Sequence, residues 1–355
     1  MSYERLIGRT WDENRLFSVL VELTYRCNLD CFFCYNDLNL RGTPLTFEQY
    51  DLFLQDLVAL NVLNVTLSGG EPLSHPDFFR IGARARELGF VVRVKSNGHA
   101  LRGDMARRLR EEVDPFVVEV SLHGATAATH DRQTRVPGSF ERLVSNLRGM
   151  HDIGLRVKIN STLTVWNEGE TAAMYELCDT LGMPLRFDLQ VTPRDDGGRE
   201  PLAVAPTADG IRHLLAIQTA RSGDAASEPR GPSADDDLPK PPGKHCGAGS
   251  AGIAIDPYGN VYPCVQWRRP VGNLHDQSIR SIWTFSEALE GIRAETVAVR
   301  DVVASHPRGG LLNFCPGLAE VLTGSAMKVP PEMERHAEIL EGAAGFSPPD
   351  QGTAG

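Results

Sequence analysis

Three of the seven cysteines stand together as Cys27-x3-Cys31-x2-Cys34. Thiolates are the usual ligands of iron–sulfur clusters, and three of them can hold three irons of a four-iron cubane. The fourth iron then stays open to an amine and a carboxylate from a small molecule. A structural zinc site would call for a fourth protein ligand, and a redox dithiol would use Cys31 and Cys34 alone. A second set, Cys246, Cys264 and Cys315, is spread more widely. The segment CGAGSAGIAIDPYGNVYPC reads as a cysteine, a hairpin turning at 256–260, and another cysteine, so the turn brings two thiols together. Buried structural cysteines or zinc are the alternatives for this set. Cys178, inside TAAMYELCDTLGM, reads as a small buried hydrophobe.

The elements that must position these thiols alternate between short β-rich apolar runs and amphipathic stretches, the pattern of parallel β/α units. Strands are predicted at 17–24, 62–67, 90–95, 116–122, 155–163 and 185–191, with helices at 47–60, 77–88, 104–112, 140–151 and 170–181. Six units make an α/β fold, an open, partial (β/α)6 TIM-like barrel. Such barrels carry their sites at the C-terminal ends of the strands, where the first cysteine loop falls. The expected organisation is an N-terminal extension at 1–16, the barrel at 17–193, a linker at 194–245, a cysteine-bearing region at 246–329 and a disordered tail at 330–355. The linker assignment rests on the Pro-, Ser-, Gly- and Asp-rich run at 221–244.

The first motif resembles that of the radical S-adenosylmethionine (SAM) superfamily, and the likeness continues beyond the cysteines. Phe33, before the last cysteine, matches the family's residue near the adenine. Ser68-Gly69-Gly70-Glu71-Pro72 resembles the segment that contacts the methionine amino group, where glycine permits close backbone approach. By the same resemblance Asn97, at the end of the third strand, belongs to the SAM site. Ser121 and Asn167 would contact the ribose or carboxylate, and Arg135 would pair with the carboxylate. His123 and His130 have no role assigned and read as structural. The second cysteine set, with GNL at 272–274 and IW at 282–283, resembles the auxiliary iron–sulfur region of the SPASM and twitch groups. There Cys246, Cys264 and Cys315 would hold one auxiliary [4Fe-4S] cluster beside the SAM-binding [4Fe-4S] cluster. The auxiliary cluster's fourth iron could bind substrate, a non-cysteine ligand such as His245 or an acid, or water.

The resemblance is nearest to members that modify ribosomally made peptides, related to the pyrroloquinoline quinone biosynthesis enzyme. It implies reductive cleavage of SAM to a 5′-deoxyadenosyl radical and oxidative cross-linking of a precursor peptide. A separate peptide-chaperone protein and an electron donor such as flavodoxin or ferredoxin are implied as partners. A twitch-type dehydrogenase of an aminocyclitol or sugar, a maturase oxidising a protein residue, and an iron–sulfur electron carrier stand as alternatives.

Composition narrows the classes further. A net charge of −10 supplies no basic footprint for nucleic acid. No apolar run is long enough to span a bilayer, and the N-terminus lacks the apolar core of a secretory signal. A cytoplasmic location is expected, where thiols stay reduced and serve metals rather than disulfides. Anaerobic reconstitution should yield two four-iron clusters per chain, and replacing Cys27, Cys31 and Cys34 together with Ala should remove one. Unchanged iron in that variant, or zinc alone in the wild type, contradicts the assignment.

Overall fold

The computed structural model describes residues 3–37, 39–224 and 243–342. Six strands lie parallel: β1 Ser18–Glu22, β2 Asn64–Ser68, β3 Val91–Ser96, β4 Val117–Ser121, β5 Val157–Thr162 and β6 Leu185–Asp188. Three more follow, β7 Gly252–Ile255, β8 Asn260–Tyr262 and β9 Gly272–Asn273. All nine form one sheet in the order β6-β5-β4-β3-β2-β1-β7-β8-β9, so the barrel is open. The six predicted strands thus recur with ends that differ by up to three residues.

The cysteine-bearing region expected at 246–329 continues the sheet of the barrel. β7 pairs parallel to β1, with Ser18 opposite Gly252 and Val21 opposite Ile255, while β8 and β9 add antiparallel. β1 is therefore an interior strand, flanked on its other edge by β2. Interior parallel strands are covered on both faces and read as near-continuous apolar runs, as SVLVE does. Val19, Val21, Val65, Leu67, Val94, Val120 and Ile159 are buried in the same core as Ile253, Ile255, Val261, Trp267 and Ile282. The predicted hairpin turn is present and is built on Asp256. Its Oδ1 accepts from the Tyr258 and Asn260 amides at 2.8 and 2.9 Å, and its Oδ2 accepts from Tyr262 Oη at 3.0 Å.

Helices Phe47–Ala59, Phe78–Glu87, Gly103–Arg108, Ser139–Asp152 and Thr171–Thr180 fill the crossovers. The first starts at a capping box: Thr46 Oγ1 accepts from the Gln49 amide, and Gln49 Oε1 accepts from the Thr46 amide. An extra helix, Ala127–Thr134, precedes the one at Ser139. The region expected as linker contains the helix Ala208–Asp224, whose Ile211 and Leu214 are buried against Met174 and Phe187. Most of the Pro-rich run lies at 225–242, outside the described residues. The expected disordered tail begins instead with the helix Pro331–Glu341, anchored by Met333 and Ala337; its remainder lies outside the described residues. Among the described residues no helix is long and apolar enough to cross a membrane.

One sheet, and a main core shared by the barrel strands and the β7–β9 region, predict one cooperative unit. Thermal unfolding followed by far-ultraviolet circular dichroism should show a single transition. Two separated transitions would mean that the barrel and the β7–β9 region are independently stable.

Candidate functional site

The cysteine loop leaves the C-terminal end of β1 and is clamped from three directions. From the β2 end, the Gly70 amide donates to Thr24 O at 2.7 Å and the Glu71 amide to Arg26 O at 2.9 Å. From the helix after β4, Thr134 O accepts from the Asp30 amide at 3.1 Å and Gln133 O from the Phe32 amide at 3.0 Å. From the segment after β6, Arg194 Nη1 donates to Cys34 O at 3.0 Å, and the Asp195 amide to Tyr35 O at 2.8 Å. A short loop carrying three thiols thus acquires fixed geometry from distant parts of the chain.

The two glycines serve this clamp. A Cβ on Gly69 would stand 2.3 Å from Thr24 O, and one on Gly70 would stand 2.7 Å from both Tyr25 O and Arg26 O. The close approach they permit here is between two stretches of this chain. Glu71 is also committed within the chain. Its carboxylate is buried, and it accepts from Ser96 Oγ at 2.9 Å, the Asn97 amide at 2.8 Å and the Leu73 amide at 3.2 Å. Burial raises its pKa to about 7, and these donors offset part of the rise. Glu71 braces the ends of β2 and β3 against each other.

Asn97 is the link from that brace to the thiols. Its Nδ2 donates to Asn28 Oδ1 at 2.8 Å and lies 3.7 Å from Cys27 Sγ, and the Leu29 amide points at the same sulfur from 3.4 Å. Phe33 packs edge-on to His123 with ring centres 4.7 Å apart. Burial holds His123 at about 3 and His130 at about 4, so both are neutral at physiological pH, and His130 Nδ1 accepts from the His123 amide at 3.1 Å. Ser121 ends β4 half-buried, opposite Asn160 of β5. Arg135 stands at the rim of the cysteine loop, paired with Asp30 at 3.0 Å and 4.9 Å from the Phe32 ring centre. Asn167 follows β5. It is fully buried, with Nδ2 donating to Thr162 O at 2.9 Å and His123 O at 3.2 Å and Oδ1 accepting from the Thr164 amide at 2.8 Å. Its amide is committed to shaping the turn after β5.

The second set comes together across the fold. Cys264 ends the hairpin, Cys246 precedes β7, and Cys315 caps the helix Pro316–Thr323. Burial pushes the Cys315 thiol up to about 12, with the neighbouring Cys264 and Cys246 adding to the rise. His245 Nε2 lies 2.8 Å from Phe314 O, so that nitrogen is engaged by the backbone.

Both sets offer the donor type that iron–sulfur clusters use. The donors are all thiols, the softest ligands the chain has. Burial raises Cys31 strongly, and Cys34 and Cys27 push it further in the same direction, so the loop is a poor place for bare thiolates. A cationic centre removes that conflict, because a metal takes the thiolate form outright. Among the described residues no three such side chains close on a single ion, and a multi-iron cluster holds its thiolates further apart than one ion does.

Comparison with known proteins agrees with this geometry. A family model for the radical SAM superfamily matches residues 21–178, and one for an iron–sulfur cluster-binding domain, SPASM, matches 246–304. The PqqA peptide cyclase of Streptomyces rochei is 31% identical over 346 residues, covering 92% of each chain. Mycofactocin maturase MftC of Mycobacterium tuberculosis H37Rv is 30% identical, covering 77% of this chain and 71% of that one. The AdoMet-dependent heme synthase of Methanosarcina barkeri is 26% identical, covering 77% and 83%. Among solved structures, anSMEcpe with bound AdoMet shares the fold at a TM-score of 0.68 and 15% identity, covering 92% and 96%. Streptococcus suis SuiB bound to precursor peptide SuiA does so at 0.64 and 14%, covering 82% and 70%.

The glycine geometry yields a test. Gly70→Val should displace the Thr24–Arg26 backbone and lower the iron held by Cys27, Cys31 and Cys34, while the Cys246 set keeps its iron. Iron analysis and circular dichroism check this; full iron content with lost SAM binding would return Gly70 to a purely ligand-facing role.

Proposed function

We propose that this chain, which belongs to the radical SAM superfamily and carries a SPASM iron–sulfur domain, oxidises a ribosomally made precursor peptide with net loss of two hydrogens. It is an enzyme, and its cofactors are SAM and [4Fe-4S] clusters. Bound to the protein, these groups supply a 5′-deoxyadenosyl radical that abstracts hydrogen from an unactivated carbon.

The protein's own work is placement. Cys27, Cys31 and Cys34 hold the SAM-binding cluster, and the clamp from Gly70, Gln133, Thr134 and Arg194 fixes them. Asn97 directs an N–H at the Cys27 sulfur, and hydrogen bonds to cluster sulfurs tune reduction potential. Phe33 and His123 form an apolar wall beside the loop, suited to an adenine. Ser121 and Arg135 lie at the same end of the strands and offer a hydroxyl and a cation.

The observation that carries the peptide reading is the second thiol set, gathered at the hairpin that extends the β1 sheet and the helix Pro316–Thr323. An auxiliary cluster there suits a reaction that must remove a second electron from the substrate after hydrogen abstraction. The similarity to the PqqA peptide cyclase along nearly the whole chain supports the substrate class. A cross-link through C–C, C–S or C–O bond formation is the product this reading assigns. The partners it calls for are a leader-recognition protein and a flavodoxin- or ferredoxin-type electron donor. The likeness to the heme synthase raises a second reading, a tetrapyrrole substrate.

Changing Cys246, Cys264 and Cys315 to Ala should abolish peptide oxidation while 5′-deoxyadenosine is still formed, because the radical arises at the other cluster. With wild type, SAM, reductant and the precursor peptide, mass spectrometry should record a loss of about two mass units. Continued oxidation by the variant would reduce the second set to a structural role. An unchanged peptide beside a modified porphyrin would move the assignment to the tetrapyrrole reading, and oxidation of a sugar alcohol would move it to a dehydrogenase.

A further inference from the structure

The C-terminal end of β1 carries a buried charge cluster that no cofactor role accounts for. Glu22 is 0% exposed and meets Arg268 through two parallel bonds, Nη1 to Oε2 and Nη2 to Oε1, both 2.8 Å. Arg268 lies four positions beyond Cys264, and its Nη2 also stands 2.9 Å from Oδ2 of Asp195, in the segment after β6. Tyr25 Oη donates to Glu22 Oε2 at 3.0 Å, and the guanidinium lies 5.1 Å from the Tyr262 ring centre. Two carboxylates share one cation in a largely water-free place.

The two acids are not equivalent. Glu22 holds the guanidinium in bidentate fashion, the stronger geometry. Asp195 has only a single nitrogen, an ion-pair contact at Oδ2 that lacks hydrogen-bond geometry, and that oxygen is sealed from solvent. Its Oδ1 accepts no hydrogen bond from the described residues, and the side chain retains 14% exposure. Burial raises the Asp195 pKa to about 7; Arg268 opposes the rise, while Glu22 and Asp37 add to it. The residue is also anchored. Its amide donates to Tyr35 O, next to Cys34, and Arg194 beside it donates to Cys34 O. Asp195 therefore stands between the loop of the first thiol set and the hairpin of the second, with one carboxylate oxygen uncommitted.

We propose that Asp195 is the proton acceptor in substrate oxidation. This rests on the peptide-oxidation reading above. In that reaction the substrate C–H hydrogen atom passes to the deoxyadenosyl carbon. The electron left on the substrate carbon passes to a one-electron acceptor of the iron–sulfur class. A bond forms between that carbon and a second substrate carbon, sulfur or oxygen atom, that atom's bond to hydrogen breaks, and the proton goes to Asp195 Oδ1. Two hydrogens leave the substrate and the charges balance. Arg268, fixed by Glu22, holds Oδ2 and thereby the carboxylate.

The test is Asp195→Asn in the full-length protein reconstituted with both clusters, assayed with SAM, reductant and the precursor peptide. Asparagine keeps the size of the side chain and an oxygen for Arg268. Iron content and peptide affinity, read by fluorescence anisotropy, should stay within about twofold of wild type, deoxyadenosine should still form, and the oxidised peptide should fall about a hundredfold. Asp195→Glu should recover part of the loss. Oxidation at the wild-type rate in the Asn variant would overturn the proposal. So would loss of iron or of peptide affinity in both variants, which would make Asp195 a structural residue. A wild type that leaves the peptide unchanged overturns the peptide reading itself, and that failure is distinct because it appears without any substitution.

Discussion

The position of β1 governs the rest of the molecule. It is hydrogen-bonded along both edges, to β2 and to β7, and the first three thiols leave from its end. A parallel strand covered on both faces cannot slip by one residue without reversing which side chains meet which layer. The register that places Ser18 opposite both Asn64 and Gly252 therefore also fixes the offset between the two cysteine sets. Glu22 reinforces it. A carboxylate buried at the last position of the strand is costly without a partner, and removing one member of such a pair is strongly destabilising. Its partner, Arg268, arrives only when the hairpin is docked beside β1, so the charge pair rewards the same arrangement that the sheet does.

Much of this was legible in the sequence, and the gaps have physical causes. The strands were visible because parallel, doubly covered strands are dense in Val, Ile and Leu. The first thiol set was visible because its ligands are local. The helix Ala127–Thr134 was missed because AATHDRQT is short and rich in Thr, His and Asp, which favour caps and turns over helix interiors. The helix Ala208–Asp224 was hidden by the polar run that follows it. Gly69 and Gly70 were read as room for a ligand, yet a missing side chain looks the same in sequence whether a ligand or a neighbouring strand needs the space. Asn167 reads as a site residue from its position after a strand, and its part in closing the turn after β5 shows only in the structure. The contacts of Arg194, Gln133 and Arg268 with the β1 end span more than a hundred residues, and periodicity carries no information about them.

The buried acids show why burial alone does not identify a reactive group. Glu71 and Asp195 are both raised to about 7, mainly by desolvation. Glu71 has each oxygen bound by a neutral donor, Ser96, Leu73 or the Asn97 amide, so its carboxylate is a fixed strut between two strand ends. Moving a proton onto it would cost those bonds. Asp195 has one oxygen held by a cation and the other without a donor among the described residues, so no hydrogen bond shown there must break before it is protonated. Similar pKa values thus arise from different constraints, and the difference lies in the partners. A brace must have its lone pairs occupied, whereas a proton acceptor must keep one open, and of the two only Asp195 does so between the thiol sets.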